Sequence, residues 1–266
     1  MIPQRWFAPS RLAAIALAPA GIRRGDIVLA SFPRSGSTWL RFLIAQLYAI
    51  RVPPPEQIDF TTIDRLMPEI ARSNLFAPWW AGARPRVLKT HYRSSAWLRR
   101  ARTLLLVRDP LDTLRSYHRF RSRLRVQPFT RDWTVFLRHA RFGLPAWIDH
   151  YLSWARAADL TVRYEDLRDE RGDALAALVR DLGIEAAPGE LALARARCTR
   201  EEMRRLEQLH GHARGDYYLA GRGFMEPDTG DEAQGAGDMA YARSLCQNRL
   251  PPDLRAGFPF GDRYLA

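Results

Sequence analysis

Residues 26–50 constrain the chain more than any other stretch. Residues 26–32 (DIVLASF) form a short apolar run of buried-strand type, and Pro33-Arg34-Ser35-Gly36-Ser37-Thr38 follows as a turn. From residue 38 to 50, Leu40, Leu43, Ile44 and Leu47 recur on one helical face. The same alternation continues downstream. Strands are predicted at 86–90 (RVLKT), 102–107 (RTLLLV) and 160–163. Pro110 opens a helix after the third strand, and the acidic pair Glu165-Asp166 opens another after the fourth. Residues 127–156 read as helical in pieces, broken near Gly143 and Pro145, and helices are expected near 173–182 and 199–209. Strands alternating with helices predict an α/β fold: a central parallel sheet covered by helices on both faces.

The turn after the first strand is also the strongest chemical signal. A loop that opens a helix presents free backbone N–H groups and the positive end of the helix dipole, which suits an anion. Ser35, Ser37 and Thr38 add hydroxyls, Arg34 adds charge, and Gly36 allows close backbone approach. The loop is not of the G-x-x-x-x-G-K-[ST] type, since it lacks the first glycine and the final lysine.

Charge points the same way. The 266 residues carry 41 basic against 29 acidic side chains, a net +12, which suits a polyanionic partner. Of the basic residues, 40 are arginine, and Lys89 is the single lysine. Where arginine is written everywhere else, a lone lysine marks a place that asks for a compact point charge. A hydrophobic share of 47% excludes disorder as the main state. The apolar stretch 12–18 is too short to span a membrane, and Pro9 and Pro19 bracket it in a way that disfavours a signal peptide. Cys198 and Cys246 alone make neither a disulfide framework nor a metal site, so a reducing cytoplasm and no metal are expected. With no internal repeat and no linker, residues 1–266 read as one domain. Within it, 51–84 and the glycine-rich 211–238 are expected to be long surface loops, the second a flexible loop or lid.

Four ordered motifs resemble the cytosolic-type sulfotransferases. Residues 31–40, SFPRSGSTWL, resemble that family's Y-P-K-S-G-T-T-W-L loop, with Arg34 in place of its lysine. Leu88-Lys89-Thr90-His91 resembles I-K-T-H. Val107-Arg108-Asp109-Pro110 with Asp112 and Ser116-Tyr117-His118 resembles V-R-N-P-x-D-x-x-x-S-Y-Y-H, and Arg163-Tyr164-Glu165-Asp166-Leu167 resembles Y-E-D-[LM]. A weaker match at 198–203 carries Thr199 but has Arg200 where the family has an aromatic. The matches span residues 26 to about 205. The family's late R-K-G-x-x-G-D-W block survives at best as Arg222-Gly223, with Arg214-Gly215 a rival.

The resemblance implies transfer of the sulfuryl group of 3′-phosphoadenosine 5′-phosphosulfate (PAPS) to a hydroxyl of a small molecule. It implies a donor site built from Arg34, Ser35, Gly36, Ser37, Thr38, Trp39, Arg108, Ser116, Tyr164, Thr199, Arg222 and Gly223. The chemistry accounts for three further expectations. In-line transfer asks for positive charge on the leaving side and a base on the attacking side. Lys89 and His91 stand two apart at a strand end, hence on one face, at the edge where open parallel sheets place ligands. His91 is therefore expected to be the general base, Lys89 to meet sulfuryl or bridging oxygens, and Arg34 to neutralise phosphate. Two alternatives stand beside this. A nucleotide kinase or NTPase would share the architecture, but the loop's final lysine and a magnesium carboxylate are missing. A nucleic-acid-binding protein would use the +12 charge, but the arginines are dispersed and no recognition motif is visible.

Overall fold

The computed structural model describes residues 11–169, 173–212, 218, 223–225 and 235–265. The elements run α1 (Arg11–Gly21), β1 (Ile27–Ser31), α2 (Ser37–Arg51), α3 (Ile63–Leu66), β2 (Val87–Thr90), β3 (Arg102–Val107), α4 (Pro110–Ser122), α5 (Trp133–Arg138), α6 (Leu144–Ala155) and β4 (Leu160–Arg163). After them come α7 (Tyr164–Arg168), α8 (Ala174–Asp181), α9 (Pro188–Ala196), α10 (Arg200–His210), α11 (Ala236–Arg249), α12 (Pro252–Arg255) and α13 (Gly261–Tyr264). All four strands are parallel, in the order β2-β1-β3-β4. Leu29 of β1 lies between Lys89 of β2 and Leu104 of β3.

The strands are apolar without alternation because both faces are covered. Ile27, Leu29, Val87, Leu104 and Leu106 face one core, shared with Leu40, Leu43 and Leu47 of α2 and with α8 and α10. Val28, Ala30, Leu88, Leu105 and Val107 face a second core, closed by Trp147, Ile148 and Trp154 of α6 and Cys246 of α11. At the start of β1 and β2 the buried Arg86 guanidinium grips both oxygens of Asp26, at 2.9 and 2.6 Å. It also donates to the carbonyls of Leu75 and Gly21. This fixes the register from which both strands run towards the site.

Residues 51–84 depart from the surface loop expected of them. Apart from α3 they are irregular, yet Ile58, Phe60, Ile63, Leu66, Met67 and Trp80 are buried in the first core. Prolines deny this stretch regular structure, while its apolar side chains still demand burial. Its backbone docks on β2: Lys89 N–H donates to the Pro68 carbonyl and Ile70 N–H to the Lys89 carbonyl, each at 2.8 Å. Most of 211–238 lies outside the described residues, but its last residues belong to α11 rather than to a loop.

One long-range tie reaches the turn after β3. Asp109 caps α4 by accepting the Asp112 N–H at 3.1 Å, with Pro110 at the first helical position. Its carboxylate also accepts the Tyr264 hydroxyl, 3.0 Å from both oxygens, and the Arg263 guanidinium at 2.7 Å.

Candidate active site

The turn between β1 and α2 is held in a conformation few residues adopt. Arg34 has φ 72° and Gly36 has φ 95°. Gly36 is the N-cap of α2 and offers no side chain to its first N–H groups. Those groups therefore await an acceptor. A β-carbon at Gly36 would stand 2.3 Å from Cδ2 of Tyr164, so only glycine fits beneath that ring. Gly36→Ala is expected to cost about 1–3 kcal/mol of stability through backbone strain, and to displace Tyr164. Urea denaturation with tyrosine fluorescence checks it; an unchanged midpoint would show that the turn relaxes freely.

Gly36, Ser37, Thr38 and Trp39 line a cleft of about 1480 Å³ at the carboxyl ends of the strands. Ser35 is buried beneath the turn, and among the described residues neither its hydroxyl nor Nη1 of Arg34 has a hydrogen-bond partner. The Arg34 side chain is otherwise engaged. Its Nε donates to the Ser116 hydroxyl at 3.1 Å, Nη2 donates to the Phe224 carbonyl at 3.4 Å, and its guanidinium lies 4.1 Å from the centre of the Phe224 ring. Burial, reinforced by Arg108, Arg123 and Arg119 and opposed by Tyr218, pushes Arg34 down to about 10. It is still charged at neutral pH.

Arg108 stands at the end of β3 and donates to the Arg34 carbonyl at 3.3 Å. Its guanidinium lies over the Tyr164 ring at 5.2 Å, instead of pairing with Asp109, whose carboxylate Arg263 and Tyr264 occupy. Tyr164 meets Trp39 edge-on at 5.8 Å, and Trp39 donates through Nε1 to the Cys198 carbonyl at 3.1 Å. Thr199 lines the cleft and is also the N-cap of α10, accepting the Glu202 N–H at 3.2 Å. Gly223 is not on the cleft wall. It sits beside Glu207, whose carboxylate takes the N–H groups of Phe224 and Met225 at 2.6 Å each. Arg222 and its rival pair Arg214-Gly215 lie outside the described residues.

Across the cleft, Lys89 and His91 come from the end of β2. The buried Lys89 ammonium lies 3.4 Å from Oε2 of Glu69, and Oε1 of Glu69 meets Arg72 at 3.0 Å. Glu69 is a site residue that sequence reasoning missed, because it belongs to the proline-rich stretch read as a loop. Nδ1 of His91 lies 2.7 Å from the Ser31 carbonyl. A carbonyl only accepts, so Nδ1 carries the hydrogen and Nε2 keeps its lone pair. Burial first, and the Lys89 charge next, push His91 down to about 3, against the opposing pull of Glu69 and the Ser31 carbonyl. The imidazole is neutral at physiological pH. Of the proposed donor-site residues, Gly36, Ser37, Thr38, Trp39, Arg34, Arg108, Ser116, Tyr164 and Thr199 share this one cleft with Lys89 and His91.

A family model described as the sulfotransferase domain matches residues 24–216. This chain belongs to the sulfotransferase family. Sulfotransferase 6B1 of Homo sapiens is 26% identical over 203 residues, covering 71% of this chain and 65% of that protein. Cytosolic sulfotransferase 1 of Danio rerio is 26% identical over 181 residues, 61% of this chain and 60% of its own length. The chain thus matches just under two thirds of these relatives. Among solved structures, mouse sulfotransferase SULT7A1 complexed with PAP superposes with a TM-score of 0.65 at 19% identity, covering 95% of this chain and 94% of that one. Retinol dehydratase in complex with androsterone and PAP gives 0.62 at 18% identity, covering 91% and 88%. The α/β sulfotransferase fold is therefore shared across nearly the whole chain.

Proposed function

We propose that this sulfotransferase moves the sulfuryl group of PAPS to a hydroxyl of a small-molecule acceptor. One observation carries the reading: two anion-seeking groups and a base converge on one cleft. The uncapped start of α2 and Arg34, whose Nη1 has no partner among the described residues, face it from one side, with the buried Ser35 hydroxyl beneath the turn. Lys89 and His91 face it from another. A phosphosulfate fits the first group, because buried polar atoms without partners are costly unless a ligand completes them. PAPS, when bound, supplies the sulfuryl group and a phosphate as leaving group.

In this reading, Arg34, Ser35, Gly36, Ser37 and Thr38 hold the 5′ end, and Arg108 with Ser116 holds the 3′-phosphate. Trp39 and Tyr164 flank the base, with Thr199 at its edge and residues 222–223 as a further contact. The neutral His91 accepts the acceptor's proton at Nε2, since Nδ1 is committed to Ser31. Lys89 places positive charge beside it, held in line by Glu69. An anion near Lys89 offsets one of the causes that depress His91 and so raises its basicity in the complex. The positive charge comes from side chains, so turnover is expected without magnesium; a strict magnesium requirement would favour the kinase or NTPase alternative. No helix of the described residues is long and apolar enough to cross a membrane, and both cysteines are buried free thiols. We place the enzyme in the cytoplasm.

The experiment is nucleotide binding by calorimetry. Adenosine 3′,5′-bisphosphate should bind much more tightly than AMP. Arg108→Ala should weaken the bisphosphate by roughly tenfold or more, the worth of a hydrogen bond to a charged group, and leave AMP nearly unchanged. Equal losses for both nucleotides would remove Arg108 from the 3′-phosphate.

A further inference from the structure

Beyond His91 the cleft has a wall that the sulfuryl chemistry does not use. It is made by Tyr117 and Arg121 of α4 together with Arg141 and Phe142, all lining the cleft. Tyr117 packs edge-on against Phe32 at 5.7 Å, and Phe32 follows Ser31, whose carbonyl holds His91. The wall and the proposed base line the same cleft. Phe142 is fixed by His139, stacked at 4.7 Å, and by Phe129 at 6.2 Å.

Two guanidiniums share the Phe142 ring. Arg121 lies 4.2 Å from its centre and Arg141 lies 5.5 Å away. Arg121 also donates to the Gln127 carbonyl at 3.2 Å and reaches the Tyr117 hydroxyl. Both cations lower the cost of a negative charge at Tyr117, against the burial that raises it. Among the described residues neither guanidinium has a carboxylate partner. Among the described residues, the carboxylates lining the cleft are Asp64, Glu69 and Asp173. Asp64 belongs to Arg41, and Glu69 to Lys89 and Arg72.

An arginine-rich chain places guanidiniums on many surfaces, and many of them find acids. Arg51 meets Glu185 and Glu190, Arg65 meets Glu56, and Asp149 takes both Arg93 and Arg249. Arg121 differs from a solvated side chain in a second way: its Nε is buried without a partner among the described residues. Two like charges held over one ring, with a buried donor unspent, repel each other until an anion lies between them.

We infer that the acceptor is an aromatic hydroxyl compound carrying a carboxylate or another anionic group, which Arg121 and Arg141 hold on the Phe142–Tyr117 wall. The aromatic body follows from Phe120, Phe142 and Tyr117, which make this part of the cleft lining aromatic. The anionic tail orients the compound, and its hydroxyl is turned towards Nε2 of His91. The inference rests on the sulfotransferase reading above.

The test pairs two probes of one shape, 3-(4-hydroxyphenyl)propanoate and the neutral 3-(4-hydroxyphenyl)propanamide. Their dissociation constants are measured by calorimetry with adenosine 3′,5′-bisphosphate present and absent, and their KM values as acceptors. The acid is expected to be preferred by at least tenfold. That preference should fall at least tenfold in Arg121→Gln and in Arg141→Gln. Arg141 is exposed, and among the described residues its guanidinium meets the Phe142 ring and the field at Tyr117 and makes no hydrogen bond, so its variant has no reason to misfold. Equal binding of acid and amide, or a preference that survives both substitutions, overturns the inference. The bisphosphate titration is read separately. If that nucleotide fails to bind, the sulfotransferase reading fails, while the acid–amide ratio still decides whether the arginine pair is an anion site.

Discussion

His91→Ala is expected to abolish sulfuryl transfer while leaving adenosine 3′,5′-bisphosphate affinity nearly unchanged. Removal of a general base costs on the order of a hundred- to ten-thousandfold in rate. The loss should fall in kcat, because the base acts on the acceptor and not on the nucleotide. The geometry sharpens this with a pH prediction. With its folded pKa pushed down to about 3, the free enzyme keeps His91 unprotonated across the neutral and mildly acidic range. The profile of kcat/KM reports the free enzyme and should lack a histidine limb near pH 6.5. The profile of kcat reports the complex and should show its acid limb at higher pH, since bound anion offsets Lys89. Stability runs in the same sense. A histidine depressed in the folded state stabilises fully above about pH 6.5 and loses that contribution as pH falls towards 3, and the buried His150 adds to it. A kcat limb at or below that of kcat/KM, or substantial turnover by His91→Ala, would end the assignment.

Lys89→Arg is expected to be nearly as damaging to kcat as Lys89→Ala, whereas Arg34→Lys should keep much of the activity. The two sites differ in shape. Lys89 is buried, with Glu69 at 3.4 Å and the backbone of residues 68–70 docked against it. A planar guanidinium is wider than an ammonium and would shift whatever lies beside His91. A misplacement of about 1 Å costs on the order of a hundredfold. Arg34 works along its length, over Phe224 and against Ser116, so a lysine there still brings a cation to the turn. Steady-state kinetics of the three variants decide it. Near-normal turnover by Lys89→Arg would make the lone lysine an accident of composition.

The strands were legible to within about a residue, because a doubly covered parallel strand must be apolar throughout. The turn at 33–38 was legible because it sits between two periodic segments, and the family motifs brought Lys89, His91, Arg108 and Ser116 to one place. What escaped were partners set by distance in the chain. Glu69 reaches Lys89 from an irregular stretch whose burial no periodicity announces. Phe224 covers Arg34 from 190 residues away. Helix α11 opens with Ala, Gly and Asp and shows no clear apolar stripe, so no pattern marks it. Arg121 and Arg141 are two arginines among 40 in the sequence. Only the fold shows that they share a ring.

The Tyr264 and Arg263 contacts with Asp109 bear on the order in which the protein is made. Asp109 follows Arg108 and fixes the turn that presents it, yet its partners lie 154 and 155 residues further on. A chain emerging from the ribosome can pair β1 with β2 and β3, and start α2, long before those partners exist. The Arg108 corner then waits with a buried carboxylate unmet. Contacts of such long sequence separation form late, since closing the intervening loop must come first. The Arg108 corner of the cleft therefore matures last, after synthesis has passed residue 264. A nascent chain halted before that point carries the start of α2 but holds Arg108 loosely.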